Sequence, residues 1–220
     1  MNIAKAIDHT LLKPDATRDD ILKLCAEARE FGFFSVCVNS SWVGVAADAL
    51  KGSDILVAAV TGFPLGAMES GAKAFETRRA VDAGAGEIDT VIAIGRLRNG
   101  EESYVLDDLR GVVEAAGPAR VKVIFETCLL TREQKLAACW LACEAGAAFV
   151  KTSTGFSTGG ATIEDVRLMA AAVAGRCLVK ASGGIRDAAS ALAMIEAGAA
   201  RLGTSNGIAI VQGSAASQGY

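Results

Sequence analysis

Short apolar runs alternate with longer stretches of helical periodicity along the whole chain. The runs at 6–8, 35–38, 55–60, 87–94, 121–126, 149–153, 177–182 and 201–203 read as buried strands. Each is short, apolar or β-branched, and bounded by Gly, Ser, Thr, Asn or Asp. A 3.6-residue period fills 18–31, 42–50, 69–83, 101–115, 131–145, 162–174 and 187–197, and a short helix follows 204–207. Thr17 and Thr131 stand where N-caps belong. Three helices end in one phrase, Asp82-Ala83-Gly84-Ala85, Glu144-Ala145-Gly146-Ala147 and Glu196-Ala197-Gly198-Ala199. Each puts glycine where a left-handed cap is wanted before the next strand. Strict strand–helix alternation predicts a parallel sheet covered by helices. Eight such units in 220 residues suit an α/β fold of the closed (β/α)8 type, a TIM barrel, as one domain over 1–213. The polar end, 214–220, is expected to be a flexible tail. The rival, a doubly wound open sheet, wants a G-x-G-x-x-G turn after an early strand, and none is present.

Composition narrows the function. At 51% hydrophobic and 5% aromatic, with Ala and Gly abundant, the chain suits tightly packed helices on a sheet. A net charge of −3 without a basic stripe argues against nucleic acid as a partner. No apolar run is long enough for a membrane span. Six cysteines lack any C-x-x-C pair, and Lys5, Asp8 and His9 interrupt any leader, so reduced thiols and a cytoplasmic location are expected. Cys139 and Cys143 share a helix face, as packing residues do. His9 is the only histidine, which leaves a hydrolytic triad one base and a multi-histidine zinc site none to spare. Chemistry without a metal or cofactor is therefore expected.

Barrel active sites lie at the C-terminal ends of the strands. Those ends carry Asp8, Asn39, Thr61, Asp89, Glu126, Lys151, Lys180 and Ser205. Two lysines on neighbouring apolar strands are unusual, since a buried ammonium is costly without a partner or a task. A nucleophilic lysine must fall from about 10.4 to roughly 7–8, about 4 kcal/mol. A second ammonium about 5 Å away supplies roughly 3 kcal/mol at an effective dielectric of about 20, and partial burial supplies the rest. Lys151 is then a candidate nucleophile, Lys180 the neighbouring cation, and Asp89 the carboxylate that carries protons. The alternative is that the lysines bind phosphate or end in solvent. Lys122 shares a strand face with Glu126 and could pair with it. Gly183-Gly184 after the seventh strand, and Gly203-Thr204-Ser205 after the eighth, occupy the usual phosphate position of barrels, and Thr154 could add a hydroxyl. Cys37 could face the site or simply pack.

These motifs resemble the deoxyribose-phosphate aldolase family of the bacterial, Schiff-base type. The resemblance runs from Ile7-Asp8-His9-Thr10-Leu11-Leu12 through Thr61-Gly62-Phe63-Pro64-Leu65-Gly66 and Glu87-Ile88-Asp89. It continues through Val150-Lys151-Thr152-Ser153-Thr154-Gly155-Phe156, Val179-Lys180-Ala181-Ser182-Gly183-Gly184-Ile185 and Arg201-Leu202-Gly203-Thr204-Ser205. It implies reversible cleavage of 2-deoxy-D-ribose 5-phosphate to D-glyceraldehyde 3-phosphate and acetaldehyde, without metal. It also implies Lys151 as the Schiff-base lysine, Asp89 and Lys180 as the proton donor–acceptor pair, and Gly183, Gly184, Thr204 and Ser205 on the phosphate. Some members have lysine where this chain has Phe156, so one phosphate contact is missing. Some end in a tyrosine that folds back, and Tyr220 stands at that position. A homodimer is the assembly the family suggests. The rival functions are a sugar-phosphate isomerase on a similar barrel and a non-catalytic sugar-phosphate sensor.

Overall fold

The strands run β1 (Ile7–Leu11), β2 (Ser35–Asn39), β3 (Leu56–Thr61), β4 (Glu87–Val91), β5 (Arg120–Ile124), β6 (Phe149–Lys151), β7 (Leu178–Ser182) and β8 (Arg201–Thr204). All pair in parallel with their sequence neighbours, and β8 pairs back onto β1 to close the barrel. This computed structural model describes residues 2–213; the tail 214–220, with Tyr220, lies outside the described residues. The helices are α1 (Arg18–Phe31), α2 (Val43–Leu50), α3 (Ser70–Asp82), α4 (Ile94–Arg98), α5 (Glu102–Ala116), α6 (Arg132–Glu144), α7 (Ile163–Val173), α8 (Ala188–Glu196) and α9 (Gly207–Gln212). Among the described residues none is long and apolar enough to cross a membrane.

Local sequence chemistry accounts for the element boundaries. Thr17 with Asp20, Thr131 with Gln134, and Asp187 with Ser190 form reciprocal capping boxes at the starts of α1, α6 and α8. The repeated helix-ending phrase behaves as expected: Gly84, Gly146 and Gly198 take φ of 109, 85 and 116. At Gly84 and Gly198 a β-carbon would also stand 2.9 Å from Ala47 Cβ and Ala170 Cβ, so these joints are packing contacts too.

Several strand bounds need correction: β5 stops at Ile124 and β6 at Lys151, each two residues short of the expected run, and two further elements differ. The apolar run 87–94 is not all strand: β4 stops at Val91, and Ile94 opens the short helix α4. The last bond to β5 is Ile92 N–H to Ile124 O, 3.0 Å, while Ile92, Ala93, Ile94 and Leu97 stay in the core. Apolarity there marks burial under helices rather than strand. The first strand begins at Ile7, after a 3₁₀ turn over Ile3–Ala6, and reaches Leu11.

The main core lies between the outer faces of the strands and the helices. The barrel interior is divided. On the β2–β3 side Cys37, Ala58 and Val60 pack with Leu12 into a small apolar cluster against Phe63. Cys37 is fully buried there, and burial, joined by the Asp89 charge, pushes its thiol up to about 11. The other strands fill the interior with charge. Outside the barrel, Lys73 of α3 meets Asp108 of α5 at 2.6 Å and donates to Val91 O at 3.0 Å, both side chains buried. The six cysteines are free; Cys139 is in the core, and Cys143 Sγ lies 2.7 Å from Cys177 Sγ. His9 faces outward, bonded to Glu27 at 2.8 Å and packed against the Phe33 ring at a 37° tilt.

Candidate active site

Strand register brings the predicted lysines together. Lys151 is paired in register with Lys180, and Asp89 with Lys122. Since side chains alternate along a strand, Glu87 and Asp89 of β4 face inward together. Asp89 Oδ2 lies 2.7 Å from both Lys151 Nζ and Lys180 Nζ, and its Oδ1 lies 2.8 Å from Lys122 Nζ. Lys180 also reaches Asp8 Oδ2 at 2.5 Å. Below them Arg201 spans Asp8 Oδ1 at 2.8 Å and Glu87 Oε2 at 3.1 Å, while Lys122 meets Glu87 Oε2 at 2.7 Å. Arg120 closes the network from the rim, 2.6 Å from Glu87 Oε1.

The expected pairing of Lys122 with Glu126 does not occur. Lys122 is held by Glu87 and Asp89, because the neighbouring strand presents two carboxylates on the inner face. The chain turns left-handed at Glu126, φ 57, which breaks the two-residue alternation that put the pair on one face.

Charge counting explains the chemistry. Three ion-paired buried carboxylates, Asp8, Glu87 and Asp89, face four buried cations, Lys122, Lys151, Lys180 and Arg201. Lys122 reaches three carboxylates, Asp8 at 3.8 Å being the most distant, Lys180 and Arg201 touch two each, and Lys151 touches only Asp89. Lys151 is therefore the amine that loses least by giving up its proton. Burial is the main force pushing the Lys151 amine below its usual value; Asp89 opposes, and Lys180 adds a further push down. For Lys180 burial acts the same way, but Asp8 and Asp89 outweigh it and hold the ammonium well above its usual range. Burial would raise Asp89, yet Lys122, Lys151 and Lys180 keep it ionised, far below the ordinary carboxylate value. Repulsion between the lysines thus acts in the expected direction, but burial outranks it.

Lys151 opens onto a pocket whose wall includes Thr10, Thr154, Ser182, Gly183, Gly184, Thr204 and Ser205. Gly183 and Gly184 hold φ of 85 and 80 in the turn after β7. Thr204 is a brace: its hydroxyl donates to Ile185 O at 2.8 Å and accepts from Asn206 N at 2.9 Å, tying the two turns together. The Thr154 hydroxyl, a candidate for the phosphate, gives its hydrogen to Glu126. Beneath these turns Gly203 leaves room for Lys180; a β-carbon there would stand 3.0 Å from Lys180 Cε and 2.9 Å from Ser182 Cβ.

Sequence reasoning missed Glu87 and Arg201 as members of the network and Arg186 at the pocket rim. The spacing Glu87-x-Asp89 on an apolar strand was the available signal for the first. Arg201, opening the last strand, carried a similar one. Among the described residues no cluster of His, Cys, Asp or Glu is arranged to hold a metal.

A lysine of lowered basicity in a charged barrel interior, beneath two glycine-rich turns, defines a lysine-centred α/β-barrel enzyme. Comparison with known proteins agrees. The sequence profile of the DeoC/LacD family aldolase matches residues 2–213, and the chain belongs to that family. A deoxyribose-phosphate aldolase of Geobacillus sp. (strain WCH70) is 59% identical over 220 residues, covering 100% of this chain and 99% of the relative. One from Bdellovibrio bacteriovorus is 57% identical, covering 100% of each. Among solved structures, a deoxyribose phosphate aldolase from Aeropyrum pernix, described as tetrameric, superimposes with a TM-score of 0.89. It is 32% identical and covers 96% of this chain and 89% of its own.

Proposed function

We propose that this aldolase reversibly cleaves 2-deoxy-D-ribose 5-phosphate to D-glyceraldehyde 3-phosphate and acetaldehyde, with Lys151 as the Schiff-base nucleophile. The observation that carries the reading is the surplus buried cation. With three carboxylates satisfied by Lys122, Lys180 and Arg201, Lys151 is the amine that burial makes easiest to deprotonate, and it faces the pocket.

The neutral amine adds to the C1 aldehyde of the open-chain sugar, and loss of water leaves an iminium. The C3 hydroxyl gives up its proton, the C2–C3 bond breaks, and its electron pair moves into the enamine on Lys151. D-Glyceraldehyde 3-phosphate departs. A proton returned to C2 gives the acetaldehyde iminium, and water releases acetaldehyde and the free amine. Asp89, ionised and 2.7 Å from both lysine amines, is the acceptor in this relay. Lys180, held protonated by Asp8 and Asp89, is the donor, through a water molecule. The iminium is the electron sink, so the route requires no metal or cofactor. Backbone N–H groups of the Gly183-Gly184 turn, with Thr204-Ser205, hold the phosphate, and Arg186 at the rim adds positive charge.

The free thiols and the absence of a membrane-crossing helix among the described residues support a cytoplasmic location, and a homodimer is the proposed assembly. Small aldehydes and the sugar phosphate are the partners; the net charge of −3 disfavours nucleic acid. The direct test is cleavage of 2-deoxyribose 5-phosphate in the presence of EDTA, with acetaldehyde measured by coupled reduction. Undiminished turnover supports the proposal; absence of acetaldehyde, or dependence on added metal, contradicts it.

A further inference from the structure

Glu126 makes no ion pair with the charge network beside it: burial raises its carboxyl above the usual range, and Thr154 and the Lys151 charge pull it back only in part. It is one of two non-glycine residues with positive φ among the described residues, at φ 57 and ψ 63. Residues with a side chain enter that region at a cost and persist there when other contacts hold them. The residue is 2% exposed, and its carboxylate bonds go to Thr154 rather than to a lysine. Both carboxylate oxygens lie 3.4 Å from Thr154 N, and the Thr154 hydroxyl donates to Oε2. The same hydroxyl oxygen accepts the Phe156 N–H at 3.0 Å. One residue on, Thr127 N donates to Thr152 O at 3.0 Å. The end of β5 therefore grips the segment 152–156 at three points, just beyond Lys151.

That segment is a wall of the pocket. Thr154 and Gly155 line it, and Gly155 Cα lies close to the Gly183 turn. Thr154 has one hydroxyl hydrogen and spends it on Glu126, so its hydroxyl offers the pocket no donor. What Thr154 contributes is shape, and Glu126 fixes that shape from behind.

We infer that Glu126 is a positioning residue for phosphate recognition: it holds the 152–156 segment against the Gly183-Gly184 turn without itself touching the phosphate. The inference rests on the phosphate site proposed above, and its test has one arm independent of catalysis. Glu126→Gly suits the left-handed backbone and removes the whole side chain, carboxylate included. Glu126→Gln keeps an oxygen that can accept from Thr154. Inorganic phosphate binding is measured by titration calorimetry, and KM and kcat are measured for 2-deoxyribose 5-phosphate and for 2-deoxyribose.

The expected result for Glu126→Gly is about tenfold weaker binding of inorganic phosphate and a comparable rise in KM for the phosphorylated sugar. Its kcat and its kcat/KM for 2-deoxyribose should stay within about twofold, and Glu126→Gln should recover most of the loss. Unchanged phosphate affinity in Glu126→Gly, or equal losses on both sugars, would overturn the inference. If wild-type protein binds phosphate but cleaves neither sugar, the functional proposal fails, and the calorimetric comparison still decides the role of Glu126.

Discussion

Replacing Lys180 by leucine should raise the basicity of Lys151. Both amines contact Asp89 Oδ2 at 2.7 Å, and both side chains are buried. Their nitrogens are therefore no more than about 5 Å apart, where two charges repel by about 3 kcal/mol at an effective dielectric of about 20. That corresponds to roughly 2 pKa units. Removing Lys180 also removes the surplus cation, leaving Lys122, Lys151 and Arg201 against Asp8, Glu87 and Asp89, so protonated Lys151 now balances the interior. Asp8 keeps Arg201 and Asp89 keeps Lys122, which favours retention of the fold. The expected shift is about 1–2 units upward. Turnover is a poor assay, because Lys180 is itself a proposed proton donor. The rate of imine formation with acetaldehyde, quenched by borohydride at a series of pH values, isolates Lys151. The amine reacts unprotonated, so the rate climbs as pH rises through its pKa, and the limb should move to higher pH in the variant. A limb that stays in place or moves down, in protein with native circular dichroism, refutes the like-charge contribution.

Other outcomes follow from the same geometry. Gly203→Ala places a β-carbon 3.0 Å from Lys180 Cε, and kcat should fall about 10- to 100-fold with the fold retained. Lys73→Met strands the buried Asp108 carboxylate, and should cost about 3–5 kcal/mol, seen as a Tm lower by roughly 10 °C. Asp8 and Asp89 are held well below their unfolded values despite burial, by Lys180, Lys122 and Arg201 for Asp8 and by Lys122, Lys151 and Lys180 for Asp89. Their stabilisation is present above about pH 4 and lost as pH falls through the folded values. Urea midpoints measured across the acid range should decline only below that point.

Much of the fold is written locally in this chain. The alternation of apolar runs and amphipathic segments, the capping boxes at Thr17 and Thr131, and the glycines at 84, 146 and 198 each act within a few residues of themselves. Lys151 and Lys180 were legible for the same reason, as charges interrupting apolar strands. Glu87, Arg201 and the true partner of Lys122 were not, because they depend on which strand face closes inward and on register between strands far apart in sequence. The Lys122–Glu126 expectation assumed that β5 keeps its alternation, and the left-handed turn at Glu126 ends it. At Lys151 burial outweighs repulsion, because the Lys180 charge is largely answered by Asp8 and Asp89, which no local sequence pattern shows.

The central claim is that Lys151 is the buried amine left neutral. Incubating the protein with acetaldehyde, reducing with borohydride and mapping the peptides by mass spectrometry tests it most directly. The account predicts an ethyl adduct on Lys151, absent from Lys122 and Lys180 and lost in Lys151→Met. An adduct on Lys180 or Lys122 instead, or none in folded wild-type protein, would contradict it.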